Sequence, residues 1–311
     1  MRHLRTLTCV ASVSLVLAGL SLAAPPRPIP PRTHGQRSES KTSLQSLVSA
    51  EKAFAALSVS KGMRTAFLAN LAEDGVIFRP LAINGLKSWE ARPASKGVLA
   101  WTPAYAEVAG SGDLGLTTGP WEYTPAADAP SHDKAYGTFL SIWKRDAGGT
   151  WKVAADLGGS HDKPQQGLDA VTFVAGPEHP AKEIAANERL MSPLAMDQLL
   201  TRSAASLGSE PAIRMWTATD VYYLHEGEAP KRGAAGVAGL VSTVGHTRWA
   251  PTGGEMSRAG DFGFSYGVRE DSSAVAGAAP DSAAYLHVWR RLEGNSWKLA
   301  AAVENPLHEK K

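Results

Sequence analysis

Cysteine is almost absent: the 311-residue chain has one, Cys9, inside an N-terminal apolar run. If that run is removed as a leader, the mature chain has no internal disulfide, no thiolate nucleophile and no Cys-ligated zinc. An excess of one charge is also missing, with 32 Lys and Arg against 30 Asp and Glu. Loss of Arg2 and Arg5 with the leader makes the two signs equal. That balance gives no electrostatic case for a nucleic acid or an anionic membrane surface as partner. Motifs are missing as well. No Gly-x-Ser-x-Gly, phosphate loop or dinucleotide fingerprint occurs, so no nucleotide cofactor is expected. His161, Asp162 and His179 are too scattered for a metal site, and none is expected.

The one long apolar run, Leu7–Leu22, is short for a bilayer-spanning helix, which needs about 20 apolar residues. Arg2 and Arg5 precede it, and Ser21-Leu22-Ala23 offers small residues where a signal peptidase reads. Residues 1–23 are therefore expected to be a signal peptide, cut after Ala23 because a later cut would leave Pro25 in the following position. A retained anchor is the alternative. Export without disulfides fits a bacterial periplasmic or secreted location. Residues 24–41, rich in Pro, Arg and Ser, read as a solvated linker.

What is present is repetition. Trp101, Pro103, Glu107, Gly112, Asp113, Gly115 and Gly119 recur at a constant spacing of 148 positions as Trp249, Pro251, Glu255, Gly260, Asp261, Gly263 and Gly267. Further on, Trp143, Trp151 and Lys152 recur 146 positions later as Trp289, Trp297 and Lys298. Self-similarity at fixed offset is the mark of internal duplication. Two domains are expected, at 42–160 and 181–307, joined by a linker over 161–180.

Each copy opens on helices. Leu47, Val48, Phe54 and Leu57 have helical spacing within Leu44–Ser60, and a shorter helix follows at Met63–Leu71. The second copy offers Ile184–Leu190 and Met196–Leu207. Glu73-Asp74-Gly75 reads as a turn into a short strand, Val76-Ile77-Phe78. Four strands then follow, over Tyr105–Ala109, Leu114–Tyr123, Thr138–Lys144 and Trp151–Leu157. Their short Gly/Asp loops require antiparallel pairing. Paired glycines within a strand (Gly115 and Gly119, Gly263 and Gly267) fit a strongly bent sheet. Asp271–Ser282 reads as a variable loop, and Val171–Val174 as a possible edge strand. The fold class is α+β.

The order of helix pair, Asp74-Gly75 strand, Trp-x-Pro, Ser-Gly-Asp-Leu-Gly and Trp-Lys-Arg…Trp-Lys resembles the SnoaL-like, nuclear transport factor 2-like domains, in their exported bacterial branch. The resemblance covers Thr42 to about Gly159, and more weakly Ala181 to about Pro306. It implies a tandem of cone-shaped, cystatin-like domains, each a sheet curled around a pocket closed by N-terminal helices. Members include steroid isomerases, dehydratases and polyketide cyclases, with an Asp, His or Tyr inside the cone, as well as proteins that bind without catalysis. The fold does not choose between them.

The residues narrow the choice little. Asp113 and Asp261 follow a glycine at a strand start and read as turn residues. Glu107 and Glu255 read as exposed sheet-face carboxylates. Asp156 ends the last strand of the first copy, where the second has Ala302. It is either a cavity general base for proton abstraction or a strand-end ion pair. His287, at the position of Ser141, is the next candidate. Trp101 and Trp249 are candidates for lining the mouth of each cone, whereas Trp143, Trp151, Trp289 and Trp297 read as core anchors. The combination suggests a small, partly apolar ligand rather than catalysis. The alternatives are an acid–base isomerase or dehydratase using Asp156, and an interaction module whose copies form an internal pseudo-dimer. Such a chain could be a monomer or a homodimer.

Overall fold

A computed structural model describes residues 34–164, 166–179, 191–241, 247–271, 281–292 and 296–307, with side chains from 42 onward. The expected leader, the helix over 184–190 and most of the loop over 271–282 lie outside the described residues. The expected linker over 24–41 does not reach its predicted end. Helix α1 starts at His34 and runs to Lys61, as no proline lies between Pro31 and Pro80 to break it.

Helix α2 (Met63–Asn70) leads into strand β1 (Leu71–Phe78), followed by β2 (Ala82–Asn84), α3 (Gly85–Glu90), β3 (Val98–Trp101), β4 (Tyr105–Val108), β5 (Leu114–Thr124), β6 (Ala135–Arg145) and β7 (Trp151–His161). The Glu73-Asp74-Gly75 turn is not a turn. It lies inside β1, where the register against β7 shifts between Leu71 and Val76 and the extra residues bulge. Strand β8 (Val174–Ala175) then adds to the edge of β4. The second half has α4 (Pro193–Leu207), α5 (Ser209–Trp216), β9 (Thr217–His225), β10 (Lys231–Arg232), α6 (Ala234–Leu240), β11 (Thr247–Met256), β12 (Phe262–Asp271), β13 (Asp281–Arg291) and β14 (Trp297–Pro306). Helix α4 is capped by the Ser192 side chain, with Pro193 opening its first turn.

The two sheets share one strand order. The first runs β2-β1-β7-β6-β5-β4-β8 and the second β10-β9-β14-β13-β12-β11. Neighbours β4 to β7 and β11 to β14 are antiparallel, whereas β1 pairs with β7 and β9 with β14 in parallel. The glycine pairs have a steric cause. A Cβ at Gly119 would meet Thr102 O at 2.0 Å, and one at Gly267 would meet Ala250 O at 2.1 Å. The curved sheets and packed helices make an α+β fold.

A sheet has two faces, and here each goes to a different use. One face of each sheet meets the other sheet: Leu114, Leu116, Leu140 and Ile142 share a core with Phe262, Phe264, Leu286 and Val288. The opposite faces are covered by helices. Phe54, Phe67, Trp101 and Trp143 form one helix-side core, and Met196, Leu200, Trp249 and Trp289 form another.

Polar clasps border the shared core. Lys144 of β6 lies 2.7 Å from Asp74 and 2.6 Å from Glu255 of the other half. Arg290 of β13 does the same in the opposite sense, pairing with Asp220 and, at 3.2 Å, with Glu107. Two turns also cross: Gly110 N donates to Asp261 Oδ2 at 2.8 Å, and Arg258 N to Asp113 Oδ2 at 3.1 Å. Glu107 corrects the expectation of an exposed carboxylate, being 1% exposed. His179 lies 2.6 Å from it, and Tyr105 donates to it at 2.6 Å. Burial opposes its charge, but His179, Arg290 and Tyr105 together hold its carboxyl below the usual range.

Because one core serves both sheets, they should melt together. Leu286→Ala, at a fully buried site, is expected to cost about 2–5 kcal/mol with one coincident transition by calorimetry and near-UV dichroism. Two separated transitions would contradict the shared core.

Candidate functional site

The helix-side core of the first half is organised around a carboxylate. Glu51, on α1, is fully buried and accepts from Trp101 Nε1 at 2.5 Å, Thr117 Oγ1 at 2.5 Å and Trp143 Nε1 at 2.8 Å. These bonds fasten the helix to β3, β5 and β6. Burial pushes the Glu51 carboxyl up to about 7, against those three donors and with a smaller push from Asp156.

The second half has Asp197 in that place, on α4. It is also fully buried, and accepts from Tyr285 Oη at 2.7 Å, His287 Nδ1 at 2.9 Å and Trp289 Nε1 at 3.0 Å. Aspartate is one methylene shorter than glutamate, and the buried Nε1 of Trp249 has no partner. His287 and Trp249 are 0% and 3% exposed. Both pack into this core, so the structure gives neither a place at an open pocket mouth.

Beside Glu51 the first half opens into a cavity of about 550 Å³. Phe54 and Phe67 of the helices, Trp89 of α3, and Trp101, Trp121 and Phe139 of the strands supply its apolar walls, with Arg79, Arg92, Ser141 and Asp156 as polar groups. The aromatic walls brace one another, Phe67 stacking on Trp89 at 4.4 Å and Phe54 meeting Trp101 edge-on at 4.8 Å.

Asp156 and Ser141 face each other across the β6/β7 register, and Ser141 Oγ donates to Asp156 Oδ2 at 2.7 Å. Asp156 keeps intermediate accessibility because the cavity reaches it, while protein crowds its other sides. Burial pushes its carboxyl above the usual range, with the Ser141 bond and the charge of Arg79 acting the other way. The corresponding register pair in the second half is His287 and Ala302. Of the four candidates from the sequence, Asp156 and Trp101 line the cavity; Trp249 and His287 do not. Sequence reasoning missed Glu51, Arg79 and Arg92. Glu51 and Asp197 are 146 positions apart, the spacing of Trp143 and Trp289, which they bind, but Glu and Asp are not identical residues.

Among the described residues, no group of three or more His, Cys, Asp or Glu is placed to hold a metal ion. No helix among them is long and apolar enough to cross a membrane.

No family model matches the chain, and no curated protein matches it. Solved structures are similar to part of it. A nuclear transport factor 2-like superfamily protein from Salmonella enterica shares 15% identity, over 40% of this chain and 94% of its own, with a TM-score of 0.33. A ketosteroid isomerase-like protein from Erwinia carotovora shares 16%, over 37% and 95%, with a TM-score of 0.28. The association domain of C. elegans CaMKII shares 11%, over 39% and 98%, with a TM-score of 0.31.

Glu51 sets a pH signature for the site. Its folded value, about 7, lies above its ordinary 4.5. The folded protein therefore holds a proton that the unfolded chain releases, and stability falls as pH rises through that window. The unfolding free energy of the wild type relative to Glu51→Gln is expected to drop by on the order of 2–4 kcal/mol between pH 4.5 and 8 in denaturant titrations. A constant difference across that range would contradict a buried, proton-holding Glu51.

Proposed function

We propose that the chain is an exported tandem of two related domains, joined as an internal pseudo-dimer, whose first domain binds a small, partly apolar ligand. The observation that carries this reading is the aromatic-walled cavity of about 550 Å³ with a few convergent polar groups. Apolar walls with sparse, fixed polar groups are what small-molecule sites require. The leader-like pattern of residues 1–23 supports export. The repeated residues and repeated strand order support duplication, and the clasps across the shared core support the pseudo-dimer. In this reading the second domain is a structural partner: its sheet covers the first domain's sheet, and Asp197 and His287 fill the place where the first domain has Glu51 and a cavity wall.

A second reading rests on Asp156. A carboxylate raised by burial, held by one hydrogen bond and open to a cavity is equipped to take a proton from carbon next to a carbonyl. The cavity would then be the active site of an isomerase or dehydratase, with Ser141 orienting the base.

The two readings separate by experiment. Tryptophan emission of the mature chain, followed against a library of small ring compounds, should reveal saturable ligands. Ser141→His, which installs the residue the second half carries, is expected to weaken them at least tenfold while leaving the melting temperature within a few degrees. Unchanged affinity would place binding elsewhere. For any ligand that is also converted, Asp156→Asn should remove turnover and retain binding; turnover surviving in Asp156→Asn would eliminate the general-base reading.

A further inference from the structure

Two cations in the cavity wall have no ionic partner among the described residues. Arg79 follows the end of β1, and its Nη1 donates to the Phe78 carbonyl at 2.7 Å. Arg92 follows α3, and its guanidinium lies 5.0 Å from the centre of the Trp89 ring. The Arg92 backbone is fixed in turn: Arg64 donates from Nε to the Arg92 carbonyl at 2.9 Å and from Nη2 to the Glu90 carbonyl at 3.1 Å. Among the described residues, no carboxylate lies within ion-pair distance of Arg79 or Arg92. Arg290, Arg269, Lys144 and Lys134, by contrast, are all paired.

Arg79 is close enough to Arg92 to feel its charge. Burial lowers the proton affinity of Arg79, Arg92 lowers it further, and Asp156 partly restores it. Arg79 is exposed and Arg92 half-buried, so both are open to an incoming group, and two like charges on one cavity wall repel until an anion offsets them. A guanidinium presents a planar fork of donors that matches an oxyanion, and two of them converging on one cavity make a site for one.

We infer that the ligand of this cavity is an amphipathic organic anion. Its carboxylate, sulfonate or phosphate group sits between Arg79 and Arg92, and its apolar ring body lies against Phe54, Phe67, Trp101 and Phe139. Asp156, the one carboxylate among the described lining residues, repels a second anionic group and accepts from a hydroxyl or amine on the body. The inference rests on the ligand-binding reading of the cavity and adds the charge of the ligand to it.

A matched pair of fluorescent probes tests it. 8-Anilinonaphthalene-1-sulfonate carries a sulfonate, and N-phenyl-1-naphthylamine has the same ring body without one. Each is titrated into the mature wild-type chain, Arg79→Gln, Arg92→Gln and Arg248→Gln. Arg248 is an exposed cation paired with Glu270 in the other half, so its loss changes net charge equally without touching the cavity. The sulfonate is expected to bind wild type at least tenfold tighter than the neutral probe, and to lose about tenfold in Arg79→Gln and in Arg92→Gln. The neutral probe should be unmoved by any variant, and the sulfonate unmoved by Arg248→Gln. Equal binding of both probes, insensitive to Arg79 and Arg92, would overturn the anion inference and leave a ligand cavity standing. An equal loss in all three variants would also overturn it, as general surface attraction. Saturable binding of neither probe would overturn it together with the cavity reading beneath it.

Discussion

The shared core between the two sheets is the constraint on which the rest of the molecule depends. Each sheet has one apolar face to bury against something other than its own helices, and each buries it against the other. Leu140 and Ile142 on one side, with Leu286 and Val288 on the other, take that face out of water. This leaves the opposite face of each sheet, with its helices, to form a separate core. In the first half that core is hollow. The polar clasps at the border repeat in mirrored sense, Lys144 to Glu255 and Arg290 to Glu107. They differ in burial, since Glu107 is sealed with His179 over it and Glu255 stays partly exposed.

Small substitutions separate a cavity wall from a filled one. Glu51 reaches three strands from α1 and accepts from the indole N–H groups of both Trp101 and Trp143. With Asp197 the reach is shorter. Tyr285 and His287 come in to bond it, and Trp249 loses its acceptor. Ser141 and Asp156 become His287 and Ala302, replacing a short hydroxyl and a carboxylate with an imidazole and a methyl group. The repeated tryptophans keep their places in both helix-side cores, while the polar groups among them change. In the first half the open space, Asp156, Arg79 and Arg92 coincide.

Much of the fold was legible in sequence because it rests on local rules. Short Gly/Asp loops required antiparallel neighbours, and β4 to β7 pair that way. The strand glycines marked close approaches, as the contact Gly119 would make with Thr102 O shows. The Glu73-Asp74-Gly75 bulge was misread because turn-forming residues also accommodate a bulge. Its parallel partner, β7, lies far along the chain. Glu107 was misread for a similar reason: alternation assigns a face, but not what later packs against it, and here Arg290 comes from 183 positions away. Of the site, Asp156 and Trp101 could be singled out by repetition and its failure. Arg79 and Arg92 could not, because which cations lack a neighbouring carboxylate is visible only once the chain has folded.

The central claim is that ligand enters the first half and not the second. It is tested most directly by following the indole N–H signals of the chain from residue 24 onward by nitrogen–proton correlation spectroscopy, as 8-anilinonaphthalene-1-sulfonate is added. Shifts confined to Trp89, Trp101 and Trp121, with Trp249, Trp289 and Trp297 unmoved, are what the account predicts. Shifts at Trp249 and Trp289 with Trp101 and Trp121 unmoved would contradict it.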